Sequence, residues 1–250
     1  MIKVECLNKV YGETHAVKNL DLTVGSGEIF GFLGPNGAGK TTTIRILNGL
    51  VKPTSGHVSL GGIDIVSRHL EAKALVGYIP DRPYLYEKLT GYEFIIFVGG
   101  LYGLDRATSL ERSRPYLEAF SMDGFAGHLI EGFSHGMKQK LMFTAAFINE
   151  PPILIVGEPM VGLDPKSARV VLKLFREKAE AGVAILLSTH TLSIVEQVCG
   201  RVGIINNGRL IATGSVADLL DRARLPGSNL EEVFLQLTEE ELGTAPAAEA

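Results

Sequence analysis

Gly34-Pro-Asn-Gly-Ala-Gly-Lys-Thr41 follows directly on a short apolar run, Ile29–Leu33. It leads into Thr42–Leu50, where Ile44, Leu47 and Leu50 or Val51 recur at helical spacing. The stretch satisfies G-x-x-x-x-G-K-[ST], and a strand before it with a helix after it is the context this pattern needs. Glycines there let backbone N–H groups turn inward around phosphate oxygens, while the positive end of the following helix faces the same anion. Gly34, Asn36, Gly37, Ala38, Gly39, Lys40, Thr41 and Thr42 are therefore candidate nucleotide-binding residues. The Lys40 ammonium is expected to neutralise β- and γ-phosphate oxygens, and the Thr41 hydroxyl to ligate Mg²⁺.

Upstream, Ile2–Leu7 alternates like a strand, and Val17, Leu20, Leu22 and Val24 mark a second one within His15–Val24. Downstream, a strand pair is expected at His57–Leu60 and Val76–Ile79. Tyr92–Tyr102, Ala107–Phe120 and Gly136–Asn149 read as helices with little strand signal between them. Then come a strand at Ile153–Val156, a helix over Pro165–Ala181 opened by its proline, a strand at Val183–Leu187 and a helix at Leu192–Cys199. Val202–Asn206 and Arg209–Ala212 form a hairpin around Asn207-Gly208, a strong turn dipeptide. Two short helices follow, and Glu239–Ala250, made of acid, Ala and Pro, is expected to fray. The order predicts the α/β class: a parallel core, a helical insertion near 88–150, and an antiparallel β portion from roughly the first 25 residues and their neighbours. Residues 1–237 read as one domain and 238–250 as a flexible tail.

The 250 residues are 46% hydrophobic and 21% charged, an ordinary globular composition. Lys+Arg number 24 against 28 Asp+Glu, a net charge of −4, which argues against nucleic acid as the main partner. Cys6 and Cys199 have no ligand spacing; each reads as a small buried apolar residue in a reducing compartment. The opening Met1-Ile-Lys-Val-Glu-Cys6 carries charge at once, and no apolar signal segment follows. The longest apolar run, Phe94–Tyr102, falls far short of the ~20 residues of a spanning helix, so a membrane role is expected to come through a partner.

Four further stretches narrow the reading: Glu131-Gly-Phe-Ser-His-Gly-Met-Lys-Gln-Lys-Leu141, Ile153-Leu-Ile-Val-Gly-Glu-Pro159, Gly162-Leu-Asp-Pro165 and Ser188-Thr-His190. With the phosphate loop they resemble, over nearly the whole chain, the ATP-binding cassette (ABC) ATPase subunits. The resemblance implies a P-loop NTPase core with a parallel sheet, an N-terminal antiparallel β subdomain and a helical signature-motif subdomain. It also implies that two chains sandwich two Mg-ATP. Tyr11 would stack on adenine, and Ser134, with the backbone around Gly136, would grip the γ-phosphate held by the opposite protomer. Glu158 would polarise the attacking water, His190 would contact the γ-phosphate, and Asp164 would lie near the dimer seam. Lys40, Glu158 and His190 form the candidate catalytic set. Read without the family, Tyr11 is a strand-end aromatic, and Ser134 and Asp164 are helix N-caps. His15, His57, His69 and His128 read as surface or packing groups, and His135 receives no role.

Two positions depart from the family pattern. The second stretch normally ends Asp-Glu, and here it reads Gly157-Glu158; the missing carboxylate ordinarily holds Mg²⁺ through water. The glutamine of the family's Q-loop is replaced by Asp81 in Tyr78-Ile-Pro-Asp-Arg-Pro83. Loss of a charged contact of ~1.5–3 kcal/mol should weaken metal-dependent steps about 10- to 100-fold. Asp81, a hard oxygen ligand, is the candidate for partial compensation as a metal residue beside Thr41. Met160, where the family usually has Thr, reads as a packing change.

The run Met137-Lys-Gln-Lys140 and the C-terminal Asn229-Leu-Glu-Glu-Val-Phe-Leu-Gln-Leu-Thr238 resemble the ATP-binding subunits of ABC-2-type exporters. That likeness implies a homodimer, or a heterodimer with another ABC ATPase, docked on a separate integral-membrane permease. It places the chain in the cytoplasm, peripheral on the inner face of the membrane, with Phe94–Leu104 near the docking groove. Two alternatives stay open: an ATP-gated regulatory module that rarely hydrolyses, suggested by Gly157 and Asp81, and an ATPase serving a soluble partner.

Overall fold

The computed structural model describes residues 1–222 and 230–243. In chain order the first half runs β1 (Ile2–Tyr11), β2 (Thr14–Val24), β3 (Ile29–Leu33), α1 (Lys40–Leu47), β4 (Ser55–Leu60), β5 (Ile63–Asp64), α2 (His69–Ala74), β6 (Val76–Ile79), α3 (Gly91–Leu101) and α4 (Arg106–Ala119). The second half runs α5 (His135–Phe147), β7 (Ile153–Gly157), α6 (Pro165–Glu180), β8 (Ala184–Ser188), α7 (Leu192–Val198), β9 (Arg201–Asn206), β10 (Arg209–Gly214), α8 (Val216–Arg222) and α9 (Leu230–Gly243).

Two sheets organise these elements. One is four-stranded and antiparallel, in the order β2-β1-β4-β5; the other is six-stranded, in the order β10-β9-β3-β8-β7-β6. In the second sheet every pair is parallel except the β9–β10 hairpin. Strands β3, β7 and β8 are buried at every position, as continuous apolar runs covered on both faces must be. Parallel strands end on the same edge of their sheet. The segments that leave β3, β6, β7 and β8 are therefore gathered along one crevice, where α/β sheets bind ligands.

The strands expected at His57–Leu60 and Val76–Ile79 both form, but they do not pair with each other. β4 pairs with β1 (Ile2 opposite Leu60), whereas β6 runs parallel to β7 (Ile79 opposite Val156). Periodicity identifies a strand and says nothing of its partner; α2, which sequence periodicity did not suggest, lies between the two in the chain. Cys6 is a second correction, because it is exposed. The β1–β2 register shifts between Val4 and Leu7, and Cys6 takes a left-handed φ of 48° within that irregularity. Such a bulge moves the inward set from Ile2 and Val4 to Leu7, so Cys6 turns outward and its N–H donates to the Asp21 carboxylate (2.8 Å). Cys199 is buried, and burial pushes its thiol up to about 12.

Helix α1 is shorter at its end than the spacing implied, because Asn48 caps it and Gly49 turns left-handed at φ 61°. At the other chain end, α9 continues to Gly243, past the boundary drawn at 238; residues 244–250 of the expected tail lie outside the described residues. The helices α3, α4 and α5 share one core with the parallel sheet and α6. Phe143 sits at that junction, its ring 6.0 Å from Phe120, 5.9 Å from Phe147 and 6.1 Å from Phe175. Each fully buried ring of this kind contributes about 1.5–3 kcal/mol.

Candidate active site

The phosphate loop leaves β3 and ends at Gly39, whose φ of 109° is open to glycine and strained for other residues. A Cβ at Gly39 would also lie 2.6 Å from the Ala16 carbonyl oxygen. No side chain caps α1, so its first N–H groups stay available to an anion. Lys40 is half-buried and folds back into the loop, where its Nζ donates to the carbonyl oxygens of Gly34 and Pro35. Burial lowers its pKa, and the Glu158 charge opposes that shift.

A cleft of about 350 Å³ opens beside this loop. Its lining includes Asn36, Gly37, Gly39, Lys40, Thr41 and Thr42 from the loop and the start of α1, and Asp81, Gly157, Glu158, Ser188 and His190 from the ends of β6, β7 and β8. The sequence-predicted residues that follow four separate strands, β3, β6, β7 and β8, are thus brought together. Glu158 stands just past β7 with φ 41°, a conformation a non-glycine residue holds only when its surroundings impose it. Its Oε1 accepts from the His190 backbone N–H (3.1 Å) and faces His190 Nδ1 at 2.8 Å. Its Oε2 accepts from the Thr189 hydroxyl (3.1 Å). A carboxylate has about four lone-pair positions, so this leaves one on Oε2 for a water. Because an ionised carboxylate only accepts, Nδ1 of His190 carries the hydrogen in this contact.

Ser134 and Asp164 do not line this cleft. Ser134 caps α5, its hydroxyl accepting from the Met137 N–H at 3.3 Å. A Cβ on Gly136, in the first turn of α5, would lie 2.5 Å from the Gly162 carbonyl oxygen, so the start of α5 and the turn Gly162-Leu-Asp-Pro165 touch closely within one chain. Asp164 caps α6, accepting from the Ser167 N–H (2.9 Å) and hydroxyl (2.6 Å), and pairs with Lys140 at 3.2 Å. Those bonds, with Ser167 first and Lys140 next, hold its carboxyl far below the usual aspartate range. A depressed pKa contributes stability above the unfolded value of 3.8 and loses it as pH falls below that value. Asp164→Ala is therefore expected to lower Tm at pH 7 by more than at pH 3. Equal losses at the two pH values in thermal melts would contradict this.

Tyr11 is also outside the cleft; it is 43% exposed at the β1 end, with Lys9 Nζ 4.7 Å from its ring centroid. Ala16 lines the cleft instead. Sequence reasoning missed Thr189, which is 1% exposed and orients Glu158; its only signal was its place beside His190. It missed Tyr78 as well, a cleft residue whose phenol pKa is raised by burial and then by the Asp81 charge. His57 pairs with Asp64 (3.1 Å), and His15 bonds Asn8 (3.1 Å), as surface groups do. His135 lines an adjoining cleft together with Asp81, Lys138 and Glu158.

Comparison with known proteins identifies the setting of this cleft. The model of the family described as "ABC transporter" matches residues 17–161. The chain belongs to the ABC transporter family. It is an ABC transporter ATP-binding domain, and its two-sheet architecture is the ABC ATPase fold. Among its relatives is the linearmycin resistance ATP-binding protein LnrL of Bacillus subtilis, 37% identical over 94% of this chain and 78% of that protein. The Nod factor export ATP-binding protein I of Cupriavidus metallidurans is 37% identical over 88% of this chain and 73% of that one. A solved ATP-binding subunit of an ABC transporter superposes with a TM-score of 0.91 at 35% identity, covering 95% of this chain and 99% of that chain. The ATP-binding cassette MJ0796, solved as a dimer in a post-hydrolysis state with ADP and Pi, gives 0.77 at 25% identity, covering 86% and 98%. Among the described residues of this ABC domain, no helix is long and apolar enough to cross a membrane.

Among the described residues no group of three or more His, Cys, Asp or Glu side chains is placed to hold a metal ion. An Mg²⁺ carried by a nucleotide does not need one, because phosphates and water supply most of its six oxygens. Thr41 and Asp81, the two residues the sequence singled out for the metal, both line the cleft.

Proposed function

We propose that this chain is the ATP-hydrolysing subunit of an exporter, driving an integral-membrane permease from the cytoplasmic side. The observation that carries the reading is Glu158, a carboxylate held by Thr189 and His190 with one lone pair to spare, in the cleft of the phosphate loop. In this reading the loop N–H groups and Lys40 bind the β- and γ-phosphates, and Lys40 exchanges its two carbonyl partners for phosphate oxygens. Glu158 takes a proton from the attacking water, as a general base must from hydrogen-bond distance. His190 turns its free Nε2 toward the γ-phosphate. Tyr11 stacks on adenine from the β1 end. Bound Mg²⁺ would neutralise charge on the β- and γ-oxygens, with Thr41 and Asp81 as its protein ligands.

Ser134, with Gly136, completes the site from a second copy or a paralogous ABC ATPase, across a seam that includes Asp164. Its absence from the cleft of its own chain supports this, as does the dimeric state of MJ0796. ATP closes such a dimer only by binding the closed state better than the open one, and Ser134 provides that difference. The relative named for Nod factor export, and the one named for linearmycin resistance, support outward transport. Docking on the permease is assigned to the segment after β6 and to α3, where Tyr84, Tyr86, Phe97 and Leu101 are exposed and Tyr86 meets Phe97 edge-on at 5.2 Å.

The decisive experiment is sedimentation of the full chain with ATP and Mg²⁺. Ser134→Arg is expected to abolish ATP-driven dimerisation while leaving the ATP affinity of each monomer within about threefold. Dimerisation unaffected by Ser134→Arg would overturn the sandwich. Gly157 favours a second reading, a regulatory module that closes on ATP without hydrolysing it; tight binding with no turnover would select it.

A further inference from the structure

Among the described residues, α9 supplies none to the cleft of the phosphate loop. It is nevertheless built against that cleft from behind. Leu230, Phe234 and Thr238 are spaced by four and so lie on one face of the helix. Both ends of this face are tied to elements that carry the site. The Leu230 N–H, in the first turn of α9, donates to a Glu196 carboxylate oxygen of α7 at 3.1 Å, and an acid there also meets the positive end of the helix dipole. Asn206, buried at the end of β9, donates its side-chain N–H to the Thr238 carbonyl at 3.2 Å. α7 begins two residues after His190. β9 leads into the turn at Asn207-Gly208, and the Gly208 N–H donates to the Ala38 carbonyl of the phosphate loop (2.9 Å). The hairpin lies hard against that loop, because a Cβ on Gly34 would overlap the Ile205 carbonyl oxygen.

Between the two ties, Phe234 lines a cavity of about 290 Å³ together with Pro35 and Asn36 of the phosphate loop and with Thr189, His190 and Leu192. The His190 side chain is 71% exposed and held through Nδ1 by Glu158, a tether about which the ring can still swing. Resting on the ATP-hydrolysing reading above, we propose that Phe234 is a positioning residue for that reaction. α9, anchored to α7 and β9, holds the Phe234 ring in the cavity and so fixes the His190 segment relative to the phosphate loop. Phe234 touches neither nucleotide nor water in this role; it acts through His190. A packed wall narrows the positions from which the imidazole meets the γ-phosphate, and displacing a reacting group by about 1 Å can cost about 100-fold in rate.

The test is a double-mutant cycle between Phe234 and His190 in the full chain. It is read as single-turnover hydrolysis with protein in excess, so that slow variants stay measurable. Phe234→Ala is expected to slow hydrolysis about tenfold, and Phe234→Leu, which keeps more of the side chain, about threefold. ADP, which has no γ-phosphate, should bind both variants within about twofold of the wild type in calorimetric titration, because Phe234 makes no contact with the nucleotide. In the His190→Ala background the Phe234→Ala effect should vanish, since two residues that act on one group are not additive. A side chain that merely stabilises the fold would slow both backgrounds alike. Should Phe234→Ala fail to fold, Phe234→Leu carries the same cycle with its smaller effect. The proposal is overturned if Phe234→Ala leaves the rate unchanged, slows the His190→Ala chain as much as the wild type, or weakens ADP binding as much as it slows hydrolysis. In each of these cases the ATP reading survives. A wild-type chain that hydrolyses no ATP, or one that His190→Ala does not slow, overturns the reading of the site and this inference with it.

Discussion

Glu158→Gln is expected to reduce ATP turnover roughly 10²- to 10⁴-fold, the range a positioned general base contributes. The amide keeps the size of the carboxylate, and its oxygen can still accept from the His190 backbone N–H. What it loses is the ability to take a proton and the charge that holds the His190 Nδ1–H at 2.8 Å. Nothing in the phosphate loop changes, so ATP should still bind, and the closed dimer should persist because the step that reopens it is blocked. Phosphate release and sedimentation measured on one preparation separate the outcomes. Turnover within tenfold of the wild type would remove Glu158 from the base's role.

Lys40→Ala should weaken ATP binding about 10- to 100-fold, since each charge-assisted contact to a phosphate is worth roughly 1.5–3 kcal/mol. Lys40 is half-buried, and its pKa is lowered by that burial; desolvation also makes its charge more effective toward a phosphate than a surface lysine's. In the chain without nucleotide its Nζ satisfies two loop carbonyls, so binding trades those bonds for phosphate oxygens. The variant leaves the Gly34 and Pro35 carbonyls to water, a small cost at this partly open position. Calorimetric titration should show the loss for ATP and ADP and almost none for AMP, which presents no β- or γ-phosphate. An equal loss for all three nucleotides would mean that the substitution distorts the loop instead.

The helix ends show how local physics carried much of the reading. Asp164 before Pro165 and Ser134 before α5 cap their helices, as short polar side chains do at those positions. The capping geometry uses one face of each side chain and leaves open whether a second chain uses the rest. Tyr11 and Thr189 mark the opposite limit. A strand-end tyrosine carries no local signal that it stands clear of the cleft, and a threonine between Ser188 and His190 carries none that it orients Glu158.

From the amino-acid order alone came the phosphate loop, its flanking strand and helix, the parallel core and the helical insertion. Those features depend on contacts within a few residues: glycine's freedom at φ above zero, apolar periodicity, and the capping of exposed N–H groups. Folding in three dimensions settled the partners: β4 with β1, β6 with β7, Glu158 with His190 and Thr189, and Asp81 beside Gly157. The reason is that strand pairing and side-chain convergence join residues far apart in the chain, and no short-range pattern records which distant edge a strand will meet.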